Sequence, residues 1–221
     1  MEKRAFKNKV YSLFSQVVKA MANSHRLEII DLLAQGDRTV EEIARETEMS
    51  IANTSQHLQV LKSSNLVEIE RVGNYIRYRL SNNKIYDLWA NLRNVGFDQM
   101  ADTSRLVNDY HLNKSMLEAV SLDELLVRMK TESLVLLDIR PPEEFNAGHI
   151  FGSLSTPLDQ LNNLISSLPK DKVYIAYCRG PLCLFADDAI VLLSQHGFNV
   201  RRLSIGYPDW KIRGLPVQSN F

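Results

Sequence analysis

Apolar residues recur at helical spacing through the first part of the chain and give way to continuous apolar runs in the second. Phe6, Val10, Leu13, Phe14, Val17 and Met21 share one face of a first helix, which breaks near Asn23-Ser24. Ser24 is the expected cap of a second helix carrying Leu27, Ile30, Leu32 and Leu33, which stops at Gly36. Thr39-Val-Glu-Glu42 is a capping box opening a short helix with Ile43 and Ala44. A turn at Met49-Ser50 leads into a helix that buries Leu58 and Leu61 and presents Asn53, Thr54, Ser55, Gln56, His57 and Lys62. Leu66–Val72 and Tyr75–Leu80 then alternate across Gly73-Asn74, a two-residue hairpin. A further helix, from Ile85 to about Leu106, carries an apolar stripe of Ile85, Leu88, Trp89, Leu92, Val95 and Met100.

The stretch from Asp98 to Ser115 has neither Gly nor Pro and reads as a stiff connector. Beyond it the period changes. Ser121-Leu-Asp-Glu124 caps a short helix, and Leu134-Val-Leu-Leu-Asp138 is a buried strand ending on a carboxylate. Helical patterns follow at Leu158–Leu168 and Cys183–His196, with strands at Val173–Tyr177 and Val200–Ser204. That alternation predicts parallel βα units with helices on both faces of the sheet. Two domains are expected, residues 1–111 mainly helical and residues 112–221 α/β.

Composition narrows the classes without choosing among them. The chain is 45% hydrophobic and 24% charged with a net charge of +0. Up to residue 112 there are 15 Lys+Arg against 14 Asp+Glu, so a nucleic-acid site must be a local patch. The charged N-terminus lacks an apolar h-region, and no run approaches the length of a membrane span, so a cytoplasmic protein is expected. Two cysteines five residues apart make neither a disulfide framework nor a zinc knuckle.

Cys178 falls at the carboxyl end of a strand, before the Arg179-Gly180-Pro181 loop and a helix, where open α/β sheets place their sites. Loop N–H groups and the helix's positive end can lower a thiol pKa at such a junction. Both cysteines also suit small core positions, whereas Arg179 and Gly180 are poor core neighbours and suit a loop that wraps an anion.

Two resemblances sharpen this. Ser55-Gln-His-Leu-Gln-Val-Leu-Lys62 followed by Asn65-Leu-Val, within two short helices, a polar helix and a hairpin, resembles the ArsR/SmtB family of bacterial repressors. The likeness implies a winged helix-turn-helix that binds double-stranded operator DNA. It also implies a homodimer formed through the first helix and the helix around Ile85–Leu106. Small hydrogen-bonding side chains suit the major groove, so Ser50, Asn53, Thr54, Ser55, Gln56, His57 and Lys62 are candidate DNA contacts. Arg71, Arg77 and Arg79 on the hairpin are candidate phosphate contacts. The polar helices hold no Cys and the Ile85–Leu106 helix no His, so the family's usual metal sites are missing. No metal and no cofactor are expected.

Asp138-Ile-Arg140-Pro-Pro-Glu-Glu144-Phe-Asn-Ala-Gly148-His149, Tyr177-Cys178-Arg179-Gly180 and Trp210-x3-Gly214-Leu-Pro-Val217 resemble single-domain rhodaneses. In that family the loop cysteine carries a sulfane sulfur as a persulfide, which places Cys178 as nucleophile beside Arg179 and Gly180. Two departures stand out: Ile205 stands where that family's C-terminal motif often has the first of two glycines, and Cys183 occupies a loop position where many sulfurtransferases have Arg or another polar residue. Losing that cation weakens the case for thiosulfate, a dianion. Asp138, Arg140, Glu144, His149 and Trp210 are expected to be structural.

The combined expectation is a transcriptional repressor that senses or handles a small sulfur donor (polysulfide, persulfide or thiosulfate) at Cys178, with Cys183 as resolving thiol. A tethered sulfurtransferase is the alternative, and an As(III) or thiophilic-metal sensor using the two thiolates a lesser one.

Overall fold

The computed structural model describes residues 2–115, 119–131 and 133–220. The chain divides into two compact units, Met1–Asn91 and Leu92–Phe221.

In the first unit α1 (Lys3–Met21) is followed by α2 (Ser24–Leu33), β1 (Arg38–Thr39), α3 (Val40–Glu46) and α4 (Ile51–Ser63). Then come the hairpin strands β2 (Val67–Val72) and β3 (Tyr75–Leu80), and α5 (Asn83–Gln99) begins. The α2 cap is Asn23 rather than Ser24: its carboxamide accepts from Arg26 N at 3.2 Å, which moves Ser24 into the first helical position. The capping box at α3 forms as its spacing implies, Thr39 with the Glu42 amide and Glu42 with the Thr39 amide. Gly73, at φ +61°, supplies the left-handed turn that sets the register Val72↔Tyr75 through Val67↔Leu80. β1 joins the other edge of β3, giving the order β1-β3-β2. Ile29, Ile30, Ile43, Leu58 and Leu61 are wholly buried between the helices.

The expected helix from Ile85 to about Leu106 is two helices. α5 ends at Gln99 and α6 (Ala101–Ser115) follows, because the Ser104 hydroxyl donates to the Phe97 carbonyl at 2.7 Å and takes an acceptor from the α5 ladder. The apolar stripe also divides. Ile85 and Trp89 are buried, the indole donating to Asp31 Oδ1 at 2.8 Å, while Leu88, Leu92, Val95 and Met100 stay exposed.

In the second unit, α6 is followed by α7 (Leu122–Thr131), β4 (Leu134–Asp138), α8 (Pro142–Ala147), β5 (His149–Ile150) and β6 (Leu154–Ser155). α9 (Leu161–Leu164) with a 3-10 turn at Ile165–Ser167 replaces the single helix expected over 158–168. β7 (Val173–Tyr177), α10 (Phe185–Gln195), β8 (Asn199–Arg202), α11 (Tyr207–Ile212) and β9 (Val217–Gln218) complete it. β6-β4-β7-β8 form a parallel sheet. Ile175 and Tyr177 pack on one face with Leu125, Leu203 and Trp210; Tyr174 and Ala176 pack on the other with Ile190 and Leu193. Both faces are thus covered, which is why these strands read as continuous apolar runs. α6 packs on α10 and counts with this unit, so the division falls inside α5 and ahead of the expected boundary at 111/112. No helix of the described residues is long and apolar enough to cross a membrane.

One buried ion pair closes the carboxyl end of β4. Arg140, with no solvent exposure, donates to Asp138 Oδ2 at 2.6 Å and to the Gly148 carbonyl at 2.7 Å, and its guanidinium lies 4.3 Å from the Tyr207 ring centroid. The Asp138 charge and hydrogen bonds outweigh burial and hold Arg140 above its ordinary pKa. Removing one partner of such a pair leaves an uncompensated buried charge, so Asp138→Leu is expected to lower stability by about 3–5 kcal/mol in urea unfolding. A loss below about 1 kcal/mol, the scale of a surface pair, would contradict this role.

The rings of His25, at the start of α2, and His57, in α4, lie 5.4 Å apart. Burial, with Arg26 and His25 nearby, holds His57 below its ordinary value of 6.5. The unfolded chain therefore takes up this proton before the folded one does. The first unit should lose stability as pH falls through 6.5 and level off below the folded value. His57→Gln should reduce that loss, measured as the shift in urea midpoint between neutral and mildly acidic buffer. An unchanged shift would assign the effect elsewhere.

Candidate functional site

Two sites emerge, a polar helix with its wing and a cysteine loop. The first begins at Ser50, which precedes α4, accepts from the Asn53 amide at 3.2 Å and so fixes where the helix starts. From that start Gln56 and Lys62 are exposed, and Asn53, Ser55 and His57 are half-buried. Thr54 leaves the set of candidate DNA contacts. It is fully buried, and its hydroxyl donates to the Ser50 carbonyl at 3.0 Å. Gln59, which the sequence reading passed over, is exposed one turn beyond Ser55 and Gln56, and its i+3 and i+4 spacing was the available signal.

The hairpin arginines are not equivalent. Arg71 is exposed near the wing tip. Arg79 faces Glu68 across the ladder and pairs with it at 2.7 Å and with Glu70 at 2.9 Å. Arg77 donates to the Asp37 carbonyl at 2.5 Å and lies 3.6 Å from Glu42. Arg79 is therefore engaged within the hairpin and Arg77 with Asp37 and Glu42 outside it, so neither stands open as a phosphate contact in the way Arg71 does. The Arg79 pairs are about half exposed, and such pairs are worth roughly 0–1 kcal/mol, so a phosphate can displace them; Arg77 also holds a backbone carbonyl and is less available.

The second site sits on the carboxyl end of β7. Cys178 follows Tyr177 directly and is 3% exposed, while Cys183 is half-buried. Their Cα atoms lie 6.3 Å apart and the two sulfurs form a disulfide. α10 starts at Phe185 rather than at Cys183, so Cys183 belongs to the loop. Asp187 and Asp188 occupy the helix's first turn and offset its positive end.

Arg179 does not stand open to an anion. Its guanidinium pairs with wholly buried Glu144, at 2.5 and 3.2 Å, and lies 5.7 Å from the Phe185 ring. Glu144 thus joins the loop to α8, while Asp138 and Arg140 form the floor beneath. His149 bonds the Phe145 carbonyl through Nδ1 at 2.7 Å and stacks on the Phe145 ring, and Trp210 is buried with its indole on the Pro216 carbonyl at 2.9 Å. Gly180, at φ +154°, takes a backbone conformation that side chains disfavour.

Several residues that brace the loop carried no sequence signal. A Cβ at Gly206 would overlap the Arg179 carbonyl and the Gly180 nitrogen, so only glycine lets α11 approach the loop this closely. The Tyr207 amide donates to the Cys178 carbonyl at 3.2 Å. Arg202 donates to the Gly180 carbonyl at 3.2 Å and lies 3.7 Å from buried Asp187; burial lowers its pKa. His111 of α6 meets Asp187 at 2.7 Å and the Pro181 carbonyl at 2.7 Å, and Arg93 of α5 pairs with Asp209 at 2.5 Å. Among the described residues no group of three or more His, Cys, Asp or Glu is arranged to hold a metal ion.

Comparison with known proteins agrees with both halves. The family model "Bacterial regulatory protein, arsR family" matches residues 23–68, and the rhodanese-like domain model matches residues 121–213. The HTH-type transcriptional regulator Rv0324 of Mycobacterium tuberculosis is 39% identical over 203 residues, covering 92% of this chain and 89% of that protein. A sulfurtransferase of Allochromatium vinosum is 32% identical over 104 residues, 46% of this chain and 95% of its own length. The solution structure of the homodimeric winged helix-turn-helix DNA-binding domain Mb0332 (fragment 1-100) of Mycobacterium bovis is 39% identical, with a TM-score of 0.42, and covers 45% of this chain and 91% of that one. With an arsR-type winged helix ahead of a cysteine loop on a rhodanese-like sheet, and that likeness running nearly end to end, the chain belongs to the arsR family as a DNA-binding transcriptional regulator with a C-terminal rhodanese-like domain.

Proposed function

We propose that the protein is a cytoplasmic, homodimeric repressor whose hold on operator DNA is set by reactive sulfur at Cys178 and Cys183. The observation that carries this reading is the pairing of the two cysteines across a loop at the end of β7, one buried and one half-exposed. The loop lies within the rhodanese-like match, which supports sulfur chemistry there. Phe6, Leu13, Phe14 and Val18 of α1 and Leu88, Leu92 and Val95 of α5 are exposed, which supports the homodimer.

The chemistry needs no cofactor. The Cys178 thiolate attacks the outer sulfur of an organic hydropersulfide, taking it as Cys178-S-SH and releasing the donor's thiolate. The Cys183 thiolate then attacks the Cys178 sulfur and expels hydrosulfide, leaving the disulfide. The two cysteines lose two electrons, and the sulfane sulfur gains them as sulfide. An apolar loop whose single Arg is already neutralised by Glu144 suits a singly charged or neutral donor better than thiosulfate.

Persulfide or polysulfide should therefore release operator DNA from the wild type and not from Cys178→Ser, measured by fluorescence anisotropy. Equal release from both would remove Cys178 from the mechanism. Operator affinity should also fall with salt, each neutralised phosphate contributing roughly −0.9 to the log-log slope, and Arg71→Ala should flatten that slope by about one phosphate. A second reading, favoured by the likeness to the Allochromatium sulfurtransferase, is turnover at Cys178 with DNA binding indifferent to sulfur. Steady thiocyanate production from thiosulfate and cyanide, with operator affinity unmoved by the donor, would establish it instead.

A further inference from the structure

We propose that Arg93 and His111, which lie ahead of the rhodanese-like match, are positioning residues of the cysteine loop, and that through them the bonding state of Cys178 and Cys183 sets the order of α6. This deepens the sulfur-switch reading and rests on it for its consequence at the operator.

His111 Nε2 lies 2.7 Å from the Pro181 carbonyl, which can only accept, so this nitrogen carries a proton. Nδ1 lies 2.7 Å from Asp187 Oδ2, on a carboxylate with no solvent exposure in the first turn of α10. Arg202 holds the next carbonyl, that of Gly180, at 3.2 Å and approaches the same Asp187 oxygen at 3.7 Å. The Gly180 carbonyl also accepts from the Cys183 amide at 3.1 Å. Two successive carbonyls inside the ring closed by the disulfide are thus held, one by α6 and one by β8.

Arg93 holds the other side. Its Nη2 pairs with Asp209 Oδ1 at 2.5 Å, and Asp209 Oδ2 accepts from the Gly206 amide at 3.2 Å. The α11 turn fixed in this way bonds the Cys178 carbonyl through the Tyr207 amide at 3.2 Å. A Cβ built on Gly180 would lie 3.7 Å from Arg93 Nη1, so the arginine sits against the loop backbone itself.

The link responds to bonding because the loop has little slack. The disulfide ties residues whose Cα atoms are 6.3 Å apart, and reduction removes that covalent tie, so the two thiols move apart to non-bonded contact. β7 fixes one end of the loop and α10 the other, so separating the sulfurs displaces the residues between them, and Pro181 is one of these. A sulfane sulfur carried on Cys178 demands the same room. Displacing the Pro181 carbonyl takes an acceptor away from His111, and the α6 turn that carries it loosens.

The test uses the full-length protein in its disulfide form and after reduction by dithiothreitol, a dithiol. The reagent gives up two electrons and two protons and closes to a cyclic disulfide, and both cysteines become thiols. Hydrogen exchange of α6 amides up to His111 and operator affinity are measured on each form. The expected result is exchange at least about fivefold faster after reduction, and a change in operator affinity of comparable size. His111→Leu, and independently Arg93→Met, should bring both ratios to within about twofold of one, while mass spectrometry shows that the disulfide still forms and breaks. Melting temperatures of the variants separate lost coupling from general destabilisation. Equal α6 exchange in the two wild-type forms, or variants that keep the wild-type ratios, would overturn the proposal. If operator affinity responds and α6 does not, the link fails and the sulfur switch stands. If α6 responds and operator affinity does not, the link stands and the switch reading fails.

Discussion

A guanidinium sealed from water dictates the arrangement of the rhodanese-like half. Arg140 has 0% exposure, and the desolvation of such an ion is repaid only when nearly every donor finds an acceptor in good geometry. Asp138 at the end of β4, the Gly148 carbonyl after α8 and the ring of Tyr207 supply that geometry together. The requirement aligns three separate pieces of chain at the carboxyl edge of the sheet. Tyr177 joins them from β7: its hydroxyl accepts from the Ile150 amide and bonds Ser153, and burial raises its pKa well above the ordinary value. The residue after Tyr177 is Cys178. The loop therefore starts from a floor that has almost no freedom.

On that floor a second tier of charges closes around the loop, and the pairing decides what chemistry it suits. Glu144 takes Arg179, Asp209 takes Arg93, and Asp187 sits between His111 and Arg202. Each of these arginines lies against a buried carboxylate, which reduces the positive field left to draw in a dianion. A sulfur relay between two thiols needs no such field, since the charge in each exchange step passes from one sulfur to another. Paired charges and a second cysteine in the same loop point the same way.

Much of the fold could be read from local pattern because its causes are local. A Thr and a Glu three residues apart suffice for the α3 capping box, and Gly73-Asn74 for the wing. The βα alternation of the second half needed only continuous apolar strands covered on both faces. Where the reading slipped, a hydrogen bond chose between near-equal options: Asn23 over Ser24 as cap, and a break after Gln99 that depends on the Ser104 hydroxyl. Thr54 looked like a groove contact because it is polar, yet its hydroxyl is satisfied within its own helix. Arg79 looked free because partners across a hairpin are fixed by register, and Arg77 because its partners, the Asp37 carbonyl and Glu42, lie outside the hairpin; composition reveals neither. The cysteine loop was legible as a junction, but His111 and Arg93 were not. Their partners lie 76 and 116 residues away, and no periodicity encodes such a distance.

The energetics of a sulfur-gated regulator are modest, and a pair of this kind can meet them. A tenfold change in operator affinity corresponds to about 1.4 kcal/mol. For a two-electron thiol–disulfide couple that is a displacement of about 30 mV, far less than the spread of potentials among protein disulfides. Linkage makes the coupling reciprocal: whatever factor the disulfide imposes on DNA binding, DNA imposes on the dithiol–disulfide equilibrium. A chain that binds its operator better with Cys178 and Cys183 reduced must also be harder to oxidise while it is bound. Under the proposed switch, operator occupancy would therefore raise the sulfur level needed for release, and free protein would register a lower level than bound protein.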